Sequence, residues 1–310
     1  MRKSEVIWVD VSKGIVICLM VTGHTSIPEW LSNWIWSFHM PFFFIISALF
    51  TSWDKRPINS FIVRKAKILF APFIPYSIIN LAFLSPIMGY TYYEYATHIL
   101  RTGWGGIALW FVPVFFISLL ICRIVCRKYS LHVAAILLLL SVSISYFNTS
   151  LPWSMSVTPF AASMMIVIRR FQHVLRRLFA NLQTIRKLAV YCISGAIVSF
   201  VLSQLYQLDM CSNHIIPIIP ILIGIIGGCI MVIAVSIFMT MYFVRISKII
   251  GSIGRNTYEI MALSQCIIMS INYYYPIPSM VKYLLMVIVL IAVVQLRHII
   301  EGKFAKAEAI

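Results

Sequence analysis

Acidic residues are the scarcest class in this chain: nine Asp and Glu stand against 25 Lys and Arg in 310 residues. Charged residues of both signs make up only 11%, where a soluble globular domain carries about 25%. With 61% hydrophobic residues and a mean hydropathy of +0.93, that shortage excludes an ordinary water-soluble domain. No polar block of domain size separates the apolar runs, so one integral membrane domain over residues 1–310 is predicted. None of the seven cysteines forms a C-x-x-C pair, which removes a metal knuckle and a disulfide framework. No H-E-x-x-H, G-x-S-x-G or phosphate-cradling glycine loop is present, and no metal is expected. The first apolar segment is too long for the core of a cleaved signal peptide and has no small-residue cleavage site behind it.

What is present is a series of apolar runs long enough to span a bilayer, which takes about 20 residues each. Ten are predicted, at 6–24, 30–50, 66–87, 107–125, 131–147, 153–169, 188–206, 219–242, 257–275 and 281–299. The predicted fold is therefore all-α, with about ten transmembrane helices. Positive residues then orient the spans, because short cytoplasmic loops collect Lys and Arg. Threading the ten spans leaves every Lys and Arg except Arg101 and Lys282 on one side, which places both termini in the cytoplasm. The same alternation argues against a nucleic-acid partner, since the +16 charge is spread over many loops and builds no patch. The segment 215–220, broken by Pro217 and Pro220, is open to a re-entrant or interfacial reading.

Ionisable side chains inside a membrane span are costly and mark functional candidates. Span one carries Asp10, Lys13 and His24. Eleven residues separate Lys13 from His24, which leaves them about 20° apart around a helix axis. Asp10 and Lys13, at i,i+3, share that face. Lys13 belongs to the cytoplasmic end and His24 to the opposite end, about 16 Å along the axis. The two cannot touch, but an extended substrate can reach both.

Other polar positions leave two readings each. His39, in span two before Pro41, either ties the span to its neighbour or faces substrate. Arg64 and Lys67, at i,i+3 on the membrane surface, are either lipid-facing anchors or a phosphate clamp. The basic residues between Arg169 and Lys187 read as topology and anionic-lipid contacts. Trp110 near the outer interface reads as an aromatic-belt residue. Glu259, just inside span nine, suits a salt bridge or catalysis equally.

Together these segments resemble a known family. D-x-x-K-G from Asp10, G-H at Gly23, and F-H-M-P-F-F-F-I-I-S from Phe38 are similar to the opening of an acyltransferase-3 membrane O-acyltransferase. Lys13 and His24 match its basic-x10-His signature, and Arg64-Lys65-Ala66-Lys67 matches its R-x-x-R motif with Lys in the second basic position. L-W-F-V-P at Leu109 and N-T-Y-E-I at Asn256, which contains Tyr258 and Glu259, resemble two later motifs. The chain departs in Ser47-Ala48, where the family has Ser-Gly, and in Ser264, where it has a late His. The resemblance is nearest to the fucose 4-O-acetylase-like group acting on O-antigen or capsular polysaccharide. It implies acetyl transfer from cytosolic acetyl-CoA to a sugar hydroxyl of a surface polysaccharide or its undecaprenyl-linked precursor, in a bacterial inner membrane. It implies His24 as the catalytic residue, acting as general base or acyl carrier, with Asp10 in support. Lys13, Arg64 and Lys67 would bind the acyl-CoA, and His39, Trp110, Tyr258 and Glu259 would line the substrate pocket or support it from behind. The competing class is a polytopic transporter or flippase for a glycan or small metabolite, which intramembrane His and broken helices also suit.

Overall fold

A computed structural model describes residues 3–104, 107–182 and 184–275, with single positions between 284 and 295. Among the described residues the chain is helical, with no strand and only an isolated bridge between Asp209 and His214. Eleven α-helices follow in order: α1 (Lys3–Gly23), α2 (Glu29–Phe50), α3 (Ile58–Ile87), α4 (Tyr92–Thr102), α5 (Phe111–Ile124), α6 (Ser130–Tyr146), α7 (Thr158–Ala180), α8 (Ile185–Leu205), α9 (Ile218–Tyr242), α10 (Val244–Arg255) and α11 (Thr257–Tyr274). Five helical segments are long and apolar enough to cross a membrane on those criteria alone. Nine of the ten predicted spans overlap helices; most of the tenth, 281–299, lies outside the described residues, as do Arg297, Lys303 and Lys306.

The prolines at 217 and 220 do not break a helix. Pro217 is the N-cap of α9 and Pro220 sits in its first turn, where a missing N–H leaves no bond unmade. The segment leads into a continuous 25-residue helix, so the re-entrant reading fails.

Two helices lie where only loop was expected. α4 is short and amphipathic, and starts with a capping box in which Thr91 and Glu94 satisfy each other's backbone N–H. α10 turns Ser247, Gly251 and Gly254 inward and Ile246 and Ile249 outward. A 12-residue helix with polar residues round most of its surface gives no spanning signal, which is why hydropathy missed it.

α2 and α9 form the interior. Phe38, Phe42 and Phe44 of α2 are fully buried, and Phe38 lies against Gly228 of α9. Gly195 of α8 and Gly227 of α9 sit so close that a Cβ on either would meet the other's carbonyl oxygen, at 2.6 and 2.9 Å. Apolar helices in lipid gain little from burial against each other, so close backbone packing at small residues supplies much of the attraction.

α7 runs past the predicted 153–169 to Ala180, and Arg169 explains part of the extension. Its guanidinium reaches the carbonyls of Cys122, Arg123 and Val125 at the C-terminus of α5, and Asp54 at 3.2 Å. Helix C-termini carry unpaired carbonyls, and a buried cation satisfies them. Arg169 therefore joins three elements, and the lipid-contact reading of this residue is corrected.

Candidate active site: two cavities on one helix pair

α1 and α2 pack antiparallel, and a cavity opens at each end of the pair. The larger, about 640 Å³, is walled on α1 by Met20 and His24 and on α2 by Trp36, His39 and Met40. The smaller, about 320 Å³, is walled on α1 by Val9, Asp10 and Lys13 and on α2 by Ile46, Ser47 and Phe50. Between Lys13 and Met20 lies about 10 Å of helix. Val16, Ile17, Phe42 and Phe44 fill that stretch, all buried. Phe111 of α5 sits edge-on to Phe44 at 4.9 Å and stacks on Phe115 at 5.0 Å. A thin apolar partition thus separates a basic cavity from an imidazole cavity.

At the basic end, Lys13 Nζ lies 3.1 Å from Asp10 Oδ1, and Arg255 Nη1 of α10 approaches Asp10 Oδ2 at 3.6 Å. Two segments far apart in sequence, D-V-S-K-G and G-R-N-T-Y-E, meet here. Gly14 and Gly254 make the meeting possible: a Cβ on Gly14 would overlap the Ile250 carbonyl oxygen, and one on Gly254 would overlap that of Asp10. Lys65 from α3 also lines this cavity. Other cations gather at the same end. Arg176 lies over Phe50 at 5.2 Å, and Arg123 and Arg169 flank Asp54, three residues past Thr51 in the cavity wall.

At the imidazole end, α1 stops at Gly23, and His24 follows with its N–H on the Val21 carbonyl at 3.2 Å. The Trp36 indole caps the Gly23 carbonyl at 3.4 Å, and its ring stands 5.5 Å from His24 and 6.0 Å from His39. His39 Nδ1 bonds the Ile35 carbonyl at 3.0 Å. Two loops close the far side, 148–156 and 208–214, and bring Asn148, Thr149, Ser150, Ser154, Asp209, Ser212 and Asn213 to the wall, beside Ser145 in the last turn of α6. Trp153 and Ser154 both hold left-handed φ, at 60° and 54°, a strained pair for non-glycine residues. Asn213 pins the second loop by pairing twice with Ser141, at 2.8 and 3.1 Å. The Asp209 carboxylate is occupied by its own turn, accepting from Cys211 N, Ser212 N and Ser212 Oγ. Burial pushes the nearby Cys211 thiol up to about 11, so it stands beside Ser154 as an uncharged group.

A family model described as an acyltransferase domain matches residues 6–296. The chain belongs to the acyltransferase-3 family. No curated protein and no solved structure matches it. Membership makes this a membrane acyltransferase and sets aside the transport alternative.

The acyltransferase collects some of the expected site residues and disperses others. His24, His39 and Trp110 share one cavity; Asp10 and Lys13 share the other. Trp110 is 5% exposed, because a tight turn at Ala108–Trp110, held by Gln265 on the Ala108 N–H, tucks the indole inward. It is a cavity wall and not a belt residue. Arg64 and Lys67 are exposed and line neither cavity, while Lys65 between them does. Tyr258 donates to the Leu69 carbonyl at 2.8 Å, bracing α11 against α3 behind the basic cavity. Glu259 and Ser264 are buried within α11 and line neither cavity. Lys65, Trp36, Arg255 and the two hydroxyl-rich loops were not singled out from sequence. A helical face through Lys65, Ile68 and Leu69, at i, i+3 and i+4, carried the signal for the first.

Proposed function

We propose that this protein is an O-acetyltransferase of a bacterial inner membrane, moving an acetyl group from cytosolic acetyl-CoA to a sugar hydroxyl of a surface polysaccharide or its undecaprenyl-linked precursor. The observation that carries the reading is the pair of cavities on opposite ends of α1 and α2, one cationic and one bearing imidazoles. Loop positives put the basic cavity on the cytoplasmic side. There Lys13 and Lys65 offer ammonium groups to the phosphates of the donor, and Asp10 lowers the cost of holding Lys13 near the membrane. Arg64 and Lys67 would meet the same anion from the membrane surface. An extended pantetheine arm would pass the Phe44–Phe111 partition and bring its thioester toward His24. The partition is closed in this structure, so passage requires those rings to move.

The larger cavity supplies what a polyhydroxylated acceptor needs. Hydroxyl and amide groups of the two loops pair with sugar hydroxyls, and Trp36 and Trp110 present aromatic faces to its C–H surfaces. His24 acts on the reacting centre, either as general base on the hydroxyl or as acyl carrier. The test is transfer of label from radioactive acetyl-CoA to host glycan by purified protein in lipid nanodiscs. Labelled glycan is expected. Labelled donor that is bound and yet transferred to no glycan would overturn the acceptor assignment.

A further inference from the structure

His39 is the imidazole whose protonation geometry the fold fixes. A carbonyl oxygen only accepts, so the 3.0 Å contact from His39 Nδ1 to the Ile35 carbonyl requires a proton on Nδ1. In the neutral ring the lone pair then lies on Nε2. His39 is 6% exposed and lines the His24 cavity. Trp36 flanks it at 6.0 Å and restricts its rotation. An imidazole held in one tautomer by a bond on its rear nitrogen is the arrangement a general base requires. His24 lacks it: it follows the helix end and its ring makes no hydrogen bond among the described residues.

We infer that His39 Nε2 is the general base that takes the proton of the acceptor hydroxyl. This rests on the acetyl-transfer reading above. As the hydroxyl oxygen attacks the thioester carbonyl carbon, its O–H bond breaks and the proton goes to Nε2. The C–S bond then breaks, the sulfur leaves with the electron pair as the donor thiolate, and the ester remains on the acceptor. His39 returns its proton to the water of the open cavity. With the hydroxyl served by His39, His24 is left to face the thioester.

The test compares His39→Asn with the wild-type protein in the acetyl-CoA-to-glycan assay. Asn places its amide N–H where Nδ1 stands, so the bond to Ile35 survives while the base is lost. The expected result is a kcat lower by about 10²–10⁴-fold, the usual contribution of a positioned base, with wild-type thermal stability and wild-type acetyl-CoA binding. A kcat within threefold of wild type overturns the inference and returns His39 to a packing role. His39→Ala gives a second readout should the Asn protein prove unstable. Added imidazole should restore its rate, and pyrrole, a ring of the same size without the basic nitrogen, should not. Equal rates with both rings, or with neither, would count against a base at this position. A wild-type protein that transfers no acetyl group would instead sink the underlying function.

Discussion

Gly14→Ala tests whether the contact between α1 and α10 builds the donor end of the site. A methyl group at position 14 would overlap the Ile250 carbonyl oxygen and lie 2.8 Å from Ile250 Cγ2 and 3.0 Å from the Ile250 carbonyl carbon. The nearest obstacle is backbone, which cannot rotate away as a side chain does, so the two helices must separate. Overpacking of this kind costs about 1–3 kcal/mol, against which alanine returns up to about 1 kcal/mol of helix propensity. With that return subtracted in full, the net expectation is a loss of up to about 2 kcal/mol. Separation also stretches the 3.6 Å approach of Arg255 to Asp10 and shifts Lys13 beside it. Gly224→Ala is the control, because its methyl would meet only Leu202 Cβ at 3.5 Å, an ordinary contact, so stability should hold or rise. The assay is thermal unfolding in detergent together with the KM for acetyl-CoA. A Gly14→Ala protein as stable as the Gly224→Ala protein, with an unchanged KM, would refute the reasoning.

Three further outcomes follow from the geometry. Lys65→Ala should raise the KM for acetyl-CoA about tenfold or more, the scale of one charge-assisted contact, and more than Arg64→Ala with Lys67→Ala together; the reverse order in steady-state kinetics would put the donor anion on the exposed face. Arg169→Ala leaves α5 carbonyls unpaired beside Asp54, and should cost at least 1–3 kcal/mol in a denaturation series; an unchanged midpoint would show that water replaces the guanidinium. Asn213→Ala removes both bonds to Ser141 and leaves an alanine at φ 57°, so the KM for the glycan should rise while donor binding holds, and a fixed glycan KM would separate loop 208–214 from the acceptor.

How far the sequence reached depends on what kind of signal each part carries. Long apolar runs announce themselves, so α2, α6, α8 and α9 fall within a few residues of their expected bounds. α4 and α10 escaped because their apolar residues cover only part of the surface. In α10 the informative residues were small ones, Gly251 and Gly254, whose meaning appears only when α1 is beside them. The stripe of Asp10, Lys13 and His24 was legible because helical geometry alone puts those residues on one face. Their division into two cavities was not, since the barrier between them is completed by Phe111 and Phe115 from another helix. The basic cluster on α3 shows the same limit. Its charge was evident, but which of Arg64, Lys65 and Lys67 faces inward depends on how α3 rotates against α1 and α2. Loops 148–156 and 208–214 had no recognisable pattern, and they acquire a role only because the fold brings them to the His24 cavity.

The central claim is that an acyl group crosses from the Lys13 cavity to the His24 cavity and leaves on a hydroxyl. His24→Ala, purified and given radioactive acetyl-CoA and host glycan, measures it most directly. Donor binding close to wild type, an intact fold and loss of labelled glycan are expected, since His24 stands at the reacting centre. Wild-type labelling by the His24→Ala protein would contradict it.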